Sequence, residues 1–309
     1  REAAAAAGVD AAAWDAALDR AALAAEVRQA FWTVLFRQRM LALAHEDATT
    51  AMEIEAIVDL RVEGGEAAEL DRIKARLERL RADRAVQAEA GRLAAARTVL
   101  AAQCGDGLPA EFELADAWPI QPESAAPAVD LTAAVADHPA LRLQAAVRAR
   151  REQELRLAEA ERRPALAVGL AAAQEYDANS LSGFLRLELP AWDRNAAGIA
   201  AAAARRDEAD ALLAKLRRDI RRDVALAVQG LAQAREQRAA FEGDMRQAAA
   251  EAYRIDTLRY REGEVDFLHL LDTRRTARQV EAEYLLRQYD VQIARAELDR
   301  VLGKGDVEP

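Results

Sequence analysis

The sequence has little cysteine and few aromatic residues, the residue types that cross-link a compact domain and fill its core. Cys104 is the only cysteine in 309 residues, which excludes an intrachain disulfide and a metal site built from several thiolates. Aromatic residues make up 5% of the chain, and much of its 52% hydrophobic fraction is alanine. With 31% charged residues, this composition is typical of long helices or coiled coils rather than of a thick globular core.

Long apolar runs and concentrated positive charge are also lacking. No run of 18 or more apolar residues occurs, which excludes a transmembrane helix but not a membrane protein built from strands. The formal net charge is -10, and the basic residues are scattered along the chain. Because phosphate binding needs a concentrated basic surface, we expect no nucleic-acid partner.

Proline is absent from residues 1–108 and 191–308. Since proline interrupts helix interiors, these two alanine-rich spans are predicted to form long helices. The break in each span is expected at glycines in a charged turn, near 64–65 in the first span and near Gly263 in the second. Each span is therefore predicted to be a long helical hairpin.

The segment between the two hairpins contains most of the prolines, and its hydrophobic pattern changes from a helical period to that of a strand. Its first part is rich in proline, glycine and acidic residues, which predicts an irregular connector. His138 and Pro139 then favour the start of a helix, and Pro164 favours its end. The predicted domains are a hairpin at 1–102, a connector at 103–130, a helix at 131–163, a strand pair at 164–190, a hairpin at 191–303 and a tail at 304–309.

Residues 164–190 alternate in character with the period of a β-strand, on either side of a turn predicted at 177–180. Each run is long enough to cross a bilayer when tilted. One hairpin would leave unpaired edges in lipid, so we expect it to close with other strands; a small soluble hairpin that caps the helices is the alternative. The apolar faces are Leu166, Val168 and Leu170 in the first run and Leu185, Leu187 and Leu189 in the second.

A stripe of apolar residues opens the return arm of the first hairpin. Leu70, Ile73, Leu77 and Leu80 alternate three and four residues apart. This spacing is that of a coiled coil, and it predicts a packing stripe.

The two hairpins have the same pattern at their tips, 198 residues apart. A duplication explains this match, and the same offset places Arg1 near Ile199, beyond the second copy's strand pair. A complete first copy would carry its own helix and strands before Arg1, so we expect the chain to be a fragment of a longer protein. The superposed pairs are Arg61 with Arg259, Gly65 with Gly263, Glu66 with Glu264 and Leu70 with Leu268.

The motifs resemble, in order, those of the TolC-like outer-membrane efflux channels, over nearly the whole chain. Residues 61–66, Arg-Val-Glu-Gly-Gly-Glu, resemble the first hairpin tip of that family. Residues 260–264, Tyr-Arg-Glu-Gly-Glu, followed by Phe-Leu-His-Leu-Leu-Asp at 267–272, resemble the second. Residues 190–195, Pro-Ala-Trp-Asp-Arg-Asn, with Gly198 and Ile199, are similar to the cobalt-zinc-cadmium resistance branch.

The resemblance implies a mainly α protein with a short β-strand pair. In this family a homotrimer forms a periplasmic α-barrel from long antiparallel helical hairpins, and the strands contribute to one trimeric outer-membrane β-barrel in contact with lipid. The expected location is the outer membrane of a Gram-negative bacterium, with most of the chain in the periplasm.

The implied function is a passive exit duct of a tripartite efflux system. Its implied partners are a periplasmic adaptor (membrane fusion) protein and an inner-membrane pump, of the resistance-nodulation-division type, and no cofactor is implied. Heavy-metal cations are the expected substrates. Drugs, other organic compounds and proteins of type 1 secretion stay open as alternatives within the family.

The resemblance also assigns roles to residues near the tips. Asp272 matches a pore-constricting carboxylate, and His269 stands where a second carboxylate is expected. A ring of histidines would gain charge near pH 6 to 7, so a pH-sensitive aperture is a hypothesis. Asp71 and Tyr260 match a closing latch whose basic partner is replaced by Val265. The implied adaptor-docking residues are Arg61, Gly65, Glu66, Leu70, Arg259, Gly263, Glu264 and Leu268.

No catalytic or metal site is predicted. The sequence contains no recognisable nucleophile with its base, phosphate-binding loop or cofactor motif. Asp266, His269 and Asp272 share a helical face, but ligands from one helix alone supply poor metal geometry. A soluble coiled-coil scaffold and an enzyme with a helical substrate domain are the rival classes.

Overall fold

The computed structural model describes residues 2–105, 107–109, 111–115, 118, 135–162, 165–175, 178–188, 195–242 and 244–304. It is mainly helical with one short strand pair, which confirms the predicted fold class. None of the helices in these ranges has an apolar stretch sufficient to cross a membrane. The elements are α1 (Glu2–Glu63), α2 (Glu69–Cys104), α3 (Pro139–Ala160), β1 (Ala165–Glu175), β2 (Ala178–Glu188), α4 (Ala196–Glu242), α5 (Asp244–Arg261) and α6 (Phe267–Val301).

The chain divides into two compact units. The first comprises Arg1–Asp19 and Asp130–Arg222, and the second comprises Arg20–Val129 and Asp223–Pro309. The first unit therefore holds the beginning of α1, α3, the strand pair and the beginning of α4. The second unit holds both hairpin turns.

In the first unit, α3 begins where the sequence places its cap. Nδ1 of His138 accepts a hydrogen bond of 3.1 Å from the amide of Ala140, and Pro139 occupies the first turn, where a missing N–H costs little. Arg148 of α3 donates a 2.5 Å hydrogen bond to Asp210 of α4. This contact joins α3 to α4 within the unit.

Strands β1 and β2 pair antiparallel, and pairing continues from Ala165 with Glu188 to Glu175 with Ala178. The turn predicted at 177–180 is therefore placed too late, because residues 178–180 belong to β2. Only residues 176 and 177, outside the described part, lie between the strands. Residues 178–180 have low intrinsic β-propensity, which favoured the prediction of a turn, but in the structure they pair with residues 173–175 of β1.

The apolar faces predicted for the strands are exposed where their side chains are described. Val168 and Leu170 are 74% and 80% exposed, and Leu185 and Leu187 are 70% and 56% exposed. Apolar surface of this extent marks a site covered by another molecule or by lipid. Leu166 and Leu189 lie outside the side chains that the structure describes.

In the second unit, α1 and α2 pack through small residues. Ala30 and Val34 of α1 meet Leu93, Ala96 and Leu100 of α2 in one buried cluster. Alanine allows the two helix backbones to approach closely, which explains how so few large side chains build the hairpin. In the second hairpin, α4 and α6 pack in the same way through Leu231, Ala234, Val291 and Leu298.

The apolar stripe predicted at the start of α2 is exposed in the part of the chain that the structure describes. Leu70, Ile73, Leu77 and Leu80 are 57%, 59%, 46% and 47% exposed. The face of α2 that is buried instead begins with Ala75 and Ala82 and lies on the opposite side of the helix. The prediction of a packing stripe at these four positions is therefore wrong for the described part of the chain, where alanines form the start of the buried face instead.

The first arm of the second hairpin also differs from a single predicted helix. It consists of α4 and α5, with residue 243 between them outside the described part. Helix α4 begins at Ala196. The segment 189–194, used above for the resemblance, lies outside the described residues.

Candidate functional site at the hairpin tips

The first hairpin tip is a compact glycine-terminated turn. Gly65 has a φ of 76°, a left-handed conformation that favours glycine. Its amide donates a 3.0 Å hydrogen bond to the carbonyl of Val62, and the amide of Glu66 donates one of 2.8 Å to the carbonyl of Arg61. This pair of bonds is the Schellman motif, which satisfies the last carbonyls of α1.

The second tip repeats this geometry at the equivalent positions. Gly263 has a φ of 78°. Its amide donates a 3.1 Å hydrogen bond to Tyr260, and the amide of Glu264 donates one of 2.9 Å to Arg259. The duplication read from the sequence is therefore present in the backbone hydrogen bonds of both turns.

Each turn also carries an ion pair between the arginine and the second glutamate of the repeated pattern. Nε of Arg61 lies 3.7 Å from a carboxylate oxygen of Glu66, and Nε of Arg259 lies 3.3 Å from one of Glu264. The glutamates are 70% and 55% exposed, so solvent screens both pairs. These pairs shape the polar surface of the tips and add little stability.

The two tips share one hydrophobic core within the second unit. Ile54 and Val58 of α1 and Ala75 of α2 pack against residues of the second hairpin. The two tips are thereby held side by side. The residues contributed by the second hairpin are Tyr260, Phe267, Leu270 and Leu271.

Arg61 joins the first tip to the second. Its Nη1 donates a 2.5 Å hydrogen bond to the carbonyl of Tyr260, and its guanidinium carbon lies 4.8 Å from the centre of the Tyr260 ring. The Arg61 side chain is only 17% exposed, so both contacts are largely removed from water. Arg259 at the equivalent position is 45% exposed.

Tyr260 is 3% exposed, and its hydroxyl has no hydrogen-bond partner within the described part of the chain. Burial raises the pKa of the Tyr260 phenol, Arg61 opposes this shift, and the charge of Asp71 adds to it. Asp71 is thus close enough to act electrostatically, but no hydrogen bond joins it to Tyr260 within this chain. Val265 packs against the same core, consistent with the absence of a basic latch partner there.

His269 lies at the start of α6 and contacts α5. Its Nε2 is 3.1 Å from a carboxylate oxygen of Asp256, which also accepts a 2.6 Å hydrogen bond from Thr273. The side chain of Asp266 accepts a 2.8 Å hydrogen bond from the backbone amide of His269 and so caps the helix. Asp256 was missed by sequence reasoning, although it lies seven residues before Gly263 and His269 lies six after it.

The side chains of Asp266, His269 and Asp272, which share one helical face, therefore have different environments. Asp266 serves as the helix cap, His269 is paired with Asp256, and Asp272 is exposed. Among the described residues, no group of three or more His, Cys, Asp or Glu side chains could hold a metal ion.

Exposed leucines stand at equivalent positions of both tips. Leu70 and Leu268 are 57% and 53% exposed, and Leu60 and Leu258 are 70% and 46% exposed. These four leucines form what we call the tip leucines. Large apolar side chains repeated on exposed turns are typical of a surface that binds another protein.

A buried ion cluster between α1 and α6 was also missed. Nη2 of Arg274 donates to the backbone carbonyl of Asp47 at 2.8 Å and to its carboxylate at 2.6 Å, and Arg278 pairs with the other carboxylate oxygen. Burial lowers the pKa of both guanidinium groups. No spacing rule connects residues 227 positions apart, so only the fold could reveal this cluster.

Known proteins are similar to this chain in sequence and in fold. The cobalt-zinc-cadmium resistance protein CzcC of Cupriavidus metallidurans is 26% identical over 287 residues, which is 92% of this chain and 68% of the relative. The fold is similar to that of the outer-membrane channel OprN, with a TM-score of 0.84, 21% identity and coverage of 97% of this chain and 70% of that one. It is also similar to the open state of the MtrE outer membrane channel of Neisseria gonorrhoeae, with a TM-score of 0.80, 21% identity and coverage of 98% and 70%.

The match to a family model includes the strand pair and the second hairpin. The outer membrane efflux protein model matches residues 131–304, more than half of the chain. The resemblance read from the tip motifs is confirmed: the chain belongs to the outer membrane efflux protein family and serves as an efflux exit duct.

Proposed function

We propose that this exit duct carries heavy-metal cations through the outer membrane for a tripartite pump, and that it acts without catalysis. The observation that carries the proposal is the pair of equivalent tips, each with the same turn and the same exposed leucines. A repeated docking surface suits a partner that engages the duct at several equivalent points. The relative named for cobalt, zinc and cadmium resistance supports the substrate class.

The docking partner is a periplasmic adaptor protein, which binds at the two tips. The tip leucines supply apolar area for the contact, and Glu66 and Glu264 supply a polar rim. Gly65 and Gly263 keep the turns narrow, so that a partner helix can approach the backbone. Arg61 acts from inside, by holding the first tip against Tyr260.

The entrance of the duct is narrowed by His269 and Asp272. In a homotrimer each of these residues would occur three times around the axis, and rings of carboxylates favour cations. Asp256, paired with His269, adds negative charge beside this ring. Asp71 and Tyr260 contribute to the closed state together with Arg61.

The duct spans the outer membrane of a Gram-negative bacterium, and most of the chain lies in the periplasm. The exposed apolar faces of β1 and β2 suit contact with lipid. The inner-membrane partner is a pump of the resistance-nodulation-division type, which supplies the energy. The duct itself is not an enzyme.

Metal export by cells tests the substrate class. The full-length protein is expressed in a strain that retains the cognate adaptor and pump but lacks its own duct, and cell-associated cobalt, zinc and cadmium are measured by mass spectrometry after loading. A lower metal content than in cells with the empty vector is expected. Unchanged metal content, with the protein present in the outer membrane, would overturn the proposal. If retention of an organic dye falls instead, the duct serves organic compounds.

A further inference from the structure

A cavity of about 620 Å³ lies along α6 in the second unit, between side chains of α1 and α5. The α6 residues that line it run from Arg274 to Gln288, which is roughly 21 Å at about 1.5 Å per residue. Trp118 lies at the end farther from the tips, where it packs with Leu35 and Leu285. We call this cavity the α6 groove, and its volume is within the range of sites that hold small organic molecules.

The α6 groove has more positive than negative charge along its lining. Four guanidinium groups meet three carboxylates, one of which belongs to the exposed Glu46. A concave surface with an excess of one charge concentrates ligands of the opposite charge. The arginines are Arg39, Arg246, Arg274 and Arg278, and the other acidic residues are Asp47 and Glu281.

The positive surplus is largest around Asp47. Its single carboxylate accepts hydrogen bonds from both Arg274 and Arg278. Glu78 acts electrostatically on Arg274 from outside the groove, but it is itself paired with two other arginines. Asp47 and Arg274 are 8% and 7% exposed, so this surplus is held away from water. Burying a charge without a matching counter-charge is costly, and an anion bound here would lower that cost.

The groove also has unpartnered polar atoms at both of its ends. Within the described part of the chain, Nε of Arg274 and Oε1 of Gln288 make no hydrogen bond. Both residues are more than nine-tenths buried. Since buried polar atoms are normally satisfied, a ligand that reaches either end gains a hydrogen bond there.

Flat rings and small side chains form much of the remaining lining. Tyr253 and Tyr284 are half-buried, and the guanidinium carbon of Arg246 lies 4.7 Å from the centre of the Tyr284 ring. Aromatic rings and guanidinium planes both offer faces on which a flat apolar molecule can stack. Alanines leave the room for such a molecule, and these are Ala42, Ala250 and Ala277.

We propose that the α6 groove binds a small aromatic organic acid. Arg246 pairs with Glu281, one turn beyond Arg278 on α6, so both guanidinium groups reach the same part of the groove. The carboxylate of the acid binds between them, because each guanidinium has five N–H donors and uses one nitrogen in its ion pair. The aromatic body lies against Tyr284 and the alanines. This ligand is opposite in charge to the proposed cargo, and its site is separate from the tips.

Binding in the α6 groove ties the two hairpins together, because α1 belongs to the first hairpin and α5 and α6 belong to the second. A ligand that binds only while these helices are packed lowers the fraction of molecules in which they have separated. At about ten times the dissociation constant, this fraction falls about tenfold. The acid is therefore expected to slow hydrogen exchange along residues 274–288.

Binding of 2-naphthoate, a small aromatic carboxylate, tests the site. The full-length protein is placed in lipid nanodiscs, and the dissociation constant is measured by ligand-observed NMR with empty nanodiscs as the blank. A value of about 1 mM or lower is expected for a ligand of this size. 2-Naphthylmethanol, which has the same rings without the charge, should bind about tenfold more weakly or worse. Absence of 2-naphthoate binding at about 10 mM, or equal affinity for the alcohol, would overturn the proposal.

Arginine variants locate the carboxylate. Arg246→Gln and Arg278→Gln should each weaken 2-naphthoate binding by about tenfold or more, because each removes a charged donor. Arg275→Gln, on α6 but outside the lining of the groove, is the matched control and should bind as the wild type does. Equal losses in all three variants, or no loss in the first two, would contradict the assigned site.

Filling the groove tests the site without removing a charge. Ala277→Trp is expected to abolish 2-naphthoate binding and the protection of residues 274–288 from hydrogen exchange. Ala248→Trp, at an exposed position of α5 outside the lining, should preserve both. Protection at the tips or the strands instead would place the ligand elsewhere and refute the inference. None of these measurements depends on metal export, so failed export with normal 2-naphthoate binding would refute only the proposed function.

Discussion

Arg61 in the first hairpin tip donates a 2.5 Å hydrogen bond to the backbone carbonyl of Tyr260 in the second tip and lies 4.8 Å from the centre of its ring. The two copies of the duplicated turn are therefore not independent. The Arg61 side chain contacts both tips, whereas its counterpart Arg259 is 45% exposed and pairs with Glu264 and Asp256 of its own hairpin.

Arg61→Ala should loosen both tips, whereas Arg259→Ala should loosen neither. Loss of a hydrogen bond from a charged donor and of the contact with the ring should cost about 2 kcal/mol, or roughly 30-fold in local opening. Because the Arg259 side chain is 45% exposed, its ion pairs with Glu264 and Asp256 should contribute less than about 1 kcal/mol. Hydrogen exchange of the Glu66 and Glu264 amides measures both effects, and equal exchange in the two variants would refute the role given to Arg61.

The tip glycines should differ in their tolerance of a side chain. Gly65→Ala forces an L-residue into a left-handed conformation, which should cost about 1 kcal/mol or more. Gly263→Ala should cost more, because its Cβ would also lie 3.3 Å from Nη2 of Arg61. Gly64→Ala, where the nearest atom is the Leu60 carbonyl oxygen at 3.5 Å, is the control and should change local stability little.

Unfolding or hydrogen exchange of the three glycine variants ranks them directly. If Gly64→Ala were as costly as Gly65→Ala, the turn geometry described for the first tip would be wrong. Combining Gly263→Ala with Arg61→Ala should remove the extra cost at residue 263, since the neighbouring guanidinium is then absent.

Both hairpin turns could be predicted from the sequence because the residues that form each turn are neighbours in the chain. A glycine after a long proline-free span, followed by a charged residue, has few structural alternatives. The match at an offset of 198 residues indicates from the sequence alone that the two turns are equivalent. The contact between Arg61 and Tyr260 could not be predicted from the sequence, because it depends on how the two hairpins pack.

Tyr260 should give the tips a dependence on alkaline pH. Burial raises the pKa of its phenol above that of the unfolded chain, so the folded state favours the neutral form. Stability should therefore be constant up to about pH 10 and fall as the pH rises through the folded pKa. In Tyr260→Phe this fall should be absent, as measured by hydrogen exchange at the tips between pH 8 and pH 11.

The same variant tests the proposed latch at neutral pH. Since the Tyr260 hydroxyl has no hydrogen-bond partner in the described part of the chain, Tyr260→Phe should be as stable as the wild type at pH 7. A loss of about 1 kcal/mol or more would mean that the hydroxyl is paired in the assembled duct, with Asp71 of a neighbouring copy the first candidate. Tyr260→Phe combined with Asp71→Asn would then show no further loss.

Single-channel conductance tests the hypothesis of a pH-sensitive aperture at His269. Histidine side chains change charge between pH 5 and pH 8, and carboxylates do not. The ratio of single-channel conductances at pH 5.5 and pH 7.5 should therefore differ between the wild type and His269→Asp. Asp272→Asn serves as a control for loss of negative charge, and an identical pH response in the wild type and His269→Asp would eliminate the hypothesis of a pH-sensitive aperture.

The exposed stripe on α2 marks the limit of what periodicity alone can reveal. Its spacing predicted a packing stripe, but the stripe is exposed, and the face buried inside the hairpin is the alanine-rich one that begins at Ala75. Small residues give a weak hydrophobic signal although they allow the closest helix contacts. Asp256 was missed for a related reason, since a charged residue is expected on the surface until its partners His269 and Thr273 are seen.

The central claim is that substrate leaves through a duct that an adaptor engages at both hairpin tips. The most direct measurement is the zinc retained by cells that carry adaptor and pump, compared between wild type, Leu70→Glu with Leu268→Glu, and Val99→Glu. Val99 is 53% exposed and lies near the other end of α2, so it matches the tip leucines in exposure but not in position. With equal amounts of each protein in the outer membrane, the account predicts that the double tip variant retains as much zinc as cells without a duct, whereas Val99→Glu exports normally. Normal export by the double tip variant would contradict it.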